Sequence, residues 1–290
     1  MMKTFRKSSE EFIEALINRE MSKETTDGYR KDMEMVSNFL EKKYNGIVML
    51  EDPVTQDFED YLTMLLKEKN YQPASVNRHL NTLRSFYKTA LKKGWTKENK
   101  VAAIDQLKVN RKERTFINDE EYATLIDSIN HETIKAIIPT LFYTGLRISE
   151  CLSMTLEDVN LTEKNILVQK GKGNKQRKIP ISVKLLPILE AYKNKTRPKY
   201  VDSEYFFALS KTGRVSDQYV NRVLNETTKK LGWKKKVTCH VFRHSFASNL
   251  VRNNVHIVQI QHLLGHEDLK TTSIYVHSLY EQLSEAIDTL

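Results

Sequence analysis

The chain has 290 residues, a formal net charge of +9, and a hydrophobic content of 40 %. That length suggests two domains at about 150 residues per domain, and that apolar content supports ordinary cores and excludes global disorder. The nine glycines and six prolines exclude a collagen-like chain, and no apolar run reaches the roughly 18 residues of a membrane-spanning helix.

The N-terminus and the thiols predict a cytoplasmic protein. The first ten residues, MMKTFRKSSE, lead into an acidic amphipathic stretch and lack the apolar core of a secretory signal. Cys151 and Cys239 are too few for a disulfide framework, and their spacing is not that of a CxxC metal clamp. We therefore expect two reduced thiols and no membrane partner.

Charge is distributed in blocks along the chain. Residues 1–63 contain nine basic against fourteen acidic residues, whereas residues 64–100 contain nine against two. A basic surplus in blocks is typical of proteins that bind a polyanion, most often nucleic acid. A basic surface that contacts only solvent is the alternative.

Four amphipathic helices are predicted in the first hundred residues. Each is preceded by a residue that favours a helix start: Ser8 with Glu11 in an S-x-x-E capping box, Ser22, Thr55, and Pro73 with Ser75. Gly94 lies where a glycine would end the fourth helix. Four helices of this length predict a small bundle.

The fourth helix has a basic stripe. Arg84, Lys88 and Lys92 recur every four residues, so they lie on one side of the helix, opposite its apolar face. The stripe is either a solvated face or a surface laid along a phosphate backbone, and we name these three residues as candidate DNA contacts.

A basic stretch without apolar periodicity separates two regions of the chain. Residues 106–115 read QLKVNRKERT and include Arg111, another candidate DNA contact. We predict a helical domain over 1–105, a linker over 106–115 and a second domain over 116–290.

The second domain is predicted to be mainly α-helical with one small β-sheet. Asn118 and Glu121 form a capping box for a helix near 119–130. A hairpin is predicted from strands 165–169 and 176–181 around the glycine-containing turn 171–175. The remaining helices are predicted near 132–144 (ending at Gly145), from about Ile148, and near 183–194, 216–231, 240–252 and 256–264, with one or two after Leu269.

Common nucleotide and metal motifs are missing from the sequence. It contains no phosphate-binding P-loop, no G-x-S-x-G nucleophile elbow and no carboxylate cluster typical of a two-metal nuclease. His262 and His266 have the i, i+4 spacing of a zinc helix but lack the glutamate of a metalloprotease between them. We therefore expect no metal and no small-molecule cofactor.

A set of cations, imidazoles and one phenol remains. Its members are Arg147, Lys172, His240, Arg243, His266 and Tyr275. Each alone is typical of a surface ion pair or of packing, but together they suggest phosphoryl transfer. Two guanidiniums can hold the non-bridging oxygens of a phosphodiester while its negative charge increases. A lysine can protonate the leaving oxygen, a histidine can accept a proton, and a tyrosine can attack phosphorus.

The motifs that contain these residues resemble those of the tyrosine recombinase (phage integrase) family. The matching segments, in the family's order, are TGLRISE (144–150), GKGNKQR (171–177), HVFRH (240–244), LLGH (263–266) and TTSIY (271–275). The resemblance spans residues 144–275, and the N-terminal half resembles the family's helical SAM-like core-binding domain by pattern only.

The resemblance implies a role for each site residue. Arg147 and Arg243 would bind the scissile phosphate, with His266 hydrogen-bonded to it. Lys172 would protonate the 5′-oxygen, His240 would act as base or proton relay, and Tyr275 would form a 3′-phosphotyrosyl intermediate. Lys175 competes with Lys172, and Tyr280 with Tyr275. Glu150 is a candidate for orienting its helix neighbours, and His244 is interpreted as structural because it points to another helical face than Arg243.

Further DNA contacts are predicted where basic residues occur without acids. Residues 165–178 include Lys175 and Arg177, and residues 229–243 form a second such block. Residues 276–290 have apolar side chains at helical spacing and would pack on a neighbouring subunit or on their own domain.

The leading hypothesis is a site-specific DNA recombinase, Xer-like or from a compact mobile element. Its partners would be a double-stranded recombination site and further copies of the chain, assembled as a tetramer that exchanges strands through a Holliday junction. A type IB topoisomerase-like enzyme and a non-catalytic DNA-binding protein are the alternatives.

Overall fold

The computed structural model describes residues 3–109, 115–169, 176–199 and 202–265. The chain divides into two compact units, Met1–Lys112 and Glu113–Leu290. The division falls inside the stretch 106–115 that lacks apolar periodicity. None of the helices in the described part of the chain is long and apolar enough to cross a membrane.

The first unit is built from four helices. They are α1 (Phe5–Ile17), α2 (Lys23–Lys43), α3 (Thr55–Lys67) and α4 (Pro73–Lys92). Their apolar faces meet in a core whose central side chains, Phe12, Leu40, Phe58, Leu83 and Phe86, are fully buried. Burial of large aromatic and aliphatic groups is the main favourable contribution to folding of such a bundle.

Three of the four predicted helix starts are confirmed. Ser22 caps α2 by accepting a hydrogen bond from the Thr25 amide, while α3 and α4 begin at Thr55 and Pro73. The predicted capping box at Ser8 is wrong. Thr4 caps α1 one turn earlier, and Ser8 is buried inside the helix, where its hydroxyl donates to the Thr4 carbonyl.

The segment after α4 is fastened to that helix. The Arg84 guanidinium donates to the Ile104 carbonyl at 2.6 Å. Asn77 exchanges two hydrogen bonds with the backbone of Leu107, each 2.8 Å long. Residues up to Leu107 are therefore tied to the first unit by α4 side chains.

The second unit contains seven α-helices and three strands in its described part. They are α5 (Asp119–Asp127), α6 (Glu132–Thr144), α7 (Ile148–Ser153), β1 (Val159–Asn160), β2 (Asn165–Val168), β3 (Arg177–Pro180), α8 (Leu186–Ala191), α9 (Asp217–Lys230), α10 (Cys239–Arg252) and α11 (Ile257–Leu264). The turn Tyr192–Thr196 continues α8 as a short π-helix. The helices predicted after Leu269 lie outside the described residues.

The three strands form one antiparallel sheet in the order β1-β2-β3. Ile166 is the partner of Ile179 on β3 and of Val159 on β1, and all three side chains are buried. The predicted pairing of the two hairpin strands is confirmed, while the predicted turn 171–175 lies outside the described residues. The additional strand β1 was not predicted. The fold class, mainly α with a small sheet, is confirmed.

Candidate functional site

Arg147 lies at the junction between α6 and α7. Helix α6 ends at Gly145 in the left-handed conformation, with φ +64°, which turns the chain so that Arg147 precedes the first residue of α7. The Arg147 amide donates to Glu150 Oε2 at 2.8 Å, and its Nη1 donates to Oε1 at 2.7 Å. With its side chain 29 % exposed, the Arg147 guanidinium is held by Glu150 and still accessible.

Glu150 is the buried anion of the site. Its side chain is 4 % exposed. It also accepts hydrogen bonds from Nη1 and Nη2 of Arg177, at 3.1 and 2.8 Å. Burial by itself would raise the pKa of Glu150, but hydrogen bonds from Arg177 and from the Arg147 amide outweigh burial and lower the pKa. The carboxylate therefore stays ionised at neutral pH.

Arg243 enters from α10 and is almost fully enclosed. Its Nη1 donates to the Gly145 carbonyl and its Nη2 to the Leu264 carbonyl, both at 2.7 Å. The same Nη1 lies 4.0 Å from Glu150 Oε2. The structure thus brings the two predicted arginines, Arg147 and Arg243, to one carboxylate.

His240 lies one turn before Arg243 on α10. It is exposed, and its ring is in T-shaped contact with the ring of His244, with centroids 4.4 Å apart. His244 was interpreted as structural, on another face than Arg243. It does differ from Arg243 in direction, yet it shares the face of His240.

Arg177 has internal partners, although it was predicted to contact DNA. Its side chain is 11 % exposed, and its Nε donates to the Leu263 carbonyl at 3.1 Å. The guanidinium packs on Gly265, where an added Cβ would lie 2.9 Å from Nη1. The basic run 165–178 gave no signal that this arginine turns inward, since its partner Glu150 is 27 positions away.

Helix α11 ends in this cluster. The last carbonyls of a helix lack partners within it and carry partial negative charge. Arg177 and Arg243 each donate to one of them, at Leu263 and Leu264. The chain that continues to His266 is therefore anchored by two guanidiniums up to Gly265.

The other predicted site residues are distributed as follows. Lys172, Lys175, His266, Tyr275 and Arg111 lie outside the described residues. In the first unit Lys88 and Lys92 are exposed on α4, while Arg84 is partly buried against Ile104. Within the described residues no group of three or more His, Cys, Asp or Glu side chains has the arrangement of a metal site.

The cluster is suited to binding an anion. Three guanidiniums share a single carboxylate, which leaves an excess of positive charge. The exposed His240 lies one turn before Arg243 on α10. Guanidiniums recognise phosphate oxygens with directed hydrogen bonds, and partial burial strengthens the attraction.

The second unit matches a family model described as the phage integrase family over residues 115–282. The first unit matches a phage integrase N-terminal SAM-like domain over residues 9–97. Of the curated relatives, a tyrosine recombinase of Thermosipho africanus is 32 % identical, over 94 % of this chain and 95 % of that protein. The tyrosine recombinase XerC of Leptospira interrogans is also 32 % identical, over 96 % of this chain and 91 % of that protein.

Solved structures show the same fold. A lambda integrase tetramer bound to a Holliday junction superposes with a TM-score of 0.74 at 20 % identity, covering 91 % of this chain and 78 % of that one.

Proposed function

This chain belongs to the phage integrase family and is a tyrosine recombinase, and on that basis we propose that Arg147 and Arg243 bind the scissile phosphate of its DNA site. It is a site-specific DNA recombinase, which breaks and rejoins DNA strands. The observation that supports the proposed role of the two arginines is their convergence, from the residue before α7 and from α10, on the buried carboxylate of Glu150.

The proposed cleavage step uses side chains throughout. Tyr275 Oη forms a bond to phosphorus while the bond from phosphorus to the 5′-oxygen breaks. His240 receives the phenolic proton, and Lys172 gives a proton to the leaving oxygen. The two arginines, with His266, hold the non-bridging oxygens, where negative charge develops in the transition state.

The product of that step explains how strands are resealed. The 3′-phosphotyrosyl bond keeps the energy of the phosphodiester, so a 5′-hydroxyl from another strand can reverse the step without a nucleotide cofactor. A topoisomerase would use the same covalent chemistry on one duplex, and a non-catalytic protein would form no adduct.

We assign this chain double-stranded DNA as its partner, with four copies acting on two duplexes. The lambda integrase of similar fold has been solved as a tetramer on a Holliday junction. Light-scattering mass measurement of the chain on a synthetic Holliday junction tests this, and four subunits per junction are expected. The reaction is assigned to the cytoplasm.

The test begins by finding the DNA site. Purified protein is mixed with sheared genomic DNA of the encoding organism and denatured, and the DNA that stays attached to protein is sequenced. One recurring sequence is expected. A duplex carrying that sequence and a nick beside the cleavage position then traps the covalent adduct, because the short cut fragment diffuses away.

Tyr275→Phe should abolish the trapped adduct and leave DNA binding intact, while the matched variant Tyr280→Phe should retain the adduct. An adduct that persists in Tyr275→Phe and disappears in Tyr280→Phe would move the nucleophile. A plasmid with two copies of the site should yield recombined products. Relaxed plasmid alone would favour the topoisomerase alternative.

A further inference from the structure

The bidentate pair between Arg177 and Glu150 joins the sheet to α7, the helix that Arg147 precedes. Arg177 is the first residue of β3, and Glu150 lies in the first turn of α7. Both fork nitrogens of the guanidinium reach the carboxylate, one on each oxygen. This geometry is among the stronger ion-pair arrangements in proteins, and here it is largely shielded from water.

Glu150 would compete with DNA phosphate if Arg177 were absent. Its side chain is 4 % exposed, with Arg147 Nη1 at 2.7 Å and Arg243 Nη1 at 4.0 Å. A buried carboxylate that loses one counter-ion attracts the remaining cations more strongly, because water screens it poorly. The phosphate would then have to displace both arginines from Glu150.

The charge of the complete cluster suits the reaction. Arg147, Arg177 and Arg243 with Glu150 amount to three positive charges and one negative charge. A phosphodiester carries one negative charge, and the pentacoordinate transition state carries about two. Without Arg177 the cluster has one positive charge fewer, and the loss is felt most where negative charge is greatest.

Arg177 also fixes the cluster to the end of α11. Its Nε donates to the Leu263 carbonyl, and its guanidinium fills the space beside Gly265. With Arg243 on the Leu264 carbonyl, both guanidiniums hold one helix end. Because Arg177 and Arg243 also share Glu150 with Arg147, common partners fix the distances between the three guanidiniums.

We propose that Arg177 is a positioning residue of DNA cleavage, which neutralises Glu150 so that this carboxylate competes less with the scissile phosphate for Arg147 and Arg243. This inference rests on the proposed role of the two arginines. Arg177 itself does not contact DNA in this proposal.

Arg177→Met is tested in single-turnover cleavage of the nicked duplex with protein in excess. We expect the cleavage rate to fall about tenfold or more, with the Kd for the duplex changed less than threefold, since the effect belongs to the transition state. Arg197→Met is the matched control. Arg197 is a partly buried arginine bonded to the carbonyls of Ser203, Tyr205 and Phe206, so its loss should lower thermal stability and spare the cleavage rate.

Glu150→Gln provides the readout that a purely structural role would not change. Once the carboxylate is neutral, Arg177 has no charge to balance, so Glu150→Gln and the double variant Glu150→Gln/Arg177→Met should cleave within twofold of each other. This comparison holds even if Arg177→Met alone fails to fold, because the double variant removes the negative charge of Glu150 together with the positive charge of Arg177.

Three outcomes would overturn the inference. They are a wild-type rate in Arg177→Met, a tenfold loss that persists when Glu150 is glutamine, and a reduced salt dependence of DNA binding, which would indicate direct phosphate contact. Arg147→Ala separates this inference from the proposed function. If Arg147→Ala cleaves normally, the proposed function fails, whereas if only Arg177→Met does so, the positioning role alone fails.

Discussion

Gly145 ends α6 and provides a backbone hydrogen-bond acceptor for the candidate site. Its φ is +64°, its carbonyl accepts a hydrogen bond from Arg243, and an added Cβ would collide with Cδ1 of Phe246. Gly145→Ala therefore combines left-handed strain of about 1 kcal/mol with a collision that Phe246 must relieve. We expect a lower melting temperature and a much slower DNA cleavage.

Gly232→Ala is the matched control for that prediction. Gly232 has φ +69° in the same unit, with no atom within 4 Å of an added Cβ. It carries the backbone penalty without the collision, so its melting temperature should fall less and its cleavage rate should be unchanged. Equal losses of stability in the two variants would contradict the role given to Phe246.

His79 is the only histidine of residues 1–112 and is fully buried. Its Nδ1 lies 2.9 Å from Tyr61 Oη, and its Nε2 lies near Asp32 and Arg78. Burial lowers the pKa of His79 below its usual 6.5, the attraction of Asp32 opposes this, and repulsion from Arg78 adds to it. Below pH 6.5 the unfolded chain therefore binds a proton at His79 that the folded unit does not bind. The free energy of unfolding of the first unit consequently decreases as the pH is lowered.

We expect the first unit to be less stable at pH 5.5 than at pH 7.5. The chain has two tryptophans, so Trp233→Phe leaves Trp95 as a fluorescent reporter of the first unit. Urea unfolding of that variant measures the change. In His79→Gln the difference between the two pH values should vanish, and an unshifted midpoint in the parent would refute the prediction.

Helix α4 has both exposed cations and a cation that is bonded within the first unit. Lys88 and Lys92 are exposed, whereas Arg84 is bonded to the Ile104 carbonyl. Each phosphate contact contributes about 0.9 to the slope of log Kd against log salt. Lys88→Ala and Lys92→Ala should each reduce that slope by about 1 on a 30-base-pair duplex of arbitrary sequence.

Lys31, exposed on α2 within the acidic block, is the control for the α4 lysines. Lys31→Ala should leave the slope unchanged, and Arg84→Ala should mainly lower the stability of the first unit, by about 1 kcal/mol for a lost hydrogen bond. If the three lysine variants gave equal slopes, the α4 stripe would be a solvated face.

The elements that the sequence predicts best are those with local signals. Ser22, Asn118 and Gly145 end or begin helices through contacts within four residues, and the structure has them in those positions. The capping box predicted at Ser8 was wrong because an S-x-x-E pattern also occurs inside helices. Thr4, upstream of Ser8, caps the helix. Strand β1 has two residues, too few for a periodic signal.

Across the whole chain, the order of motifs predicted the family. The resemblance implied that Arg147 and Arg243 act on one phosphate, and the structure brings both arginines to one carboxylate. The order of motifs did not predict which cations turn inward. Arg177 and Lys178 are neighbours in one basic run, yet the first is bound to Glu150 and the second is exposed. Strand alternation places them on opposite faces, but the partner across the fold determines which face is internal.

The whole reaction is expected to obtain its positive charge from side chains. In the proposed mechanism Arg147 and Arg243 neutralise the phosphate, and Lys172 protonates the leaving oxygen, so each task is done by a side chain. Adding EDTA in excess over magnesium should leave the single-turnover cleavage rate within twofold of its original value. A magnesium-dependent restriction nuclease, inhibited in the same buffer, shows that chelation is complete. A loss of cleavage that magnesium restores would mean that the arginines are insufficient and that a cation shares the phosphate with them.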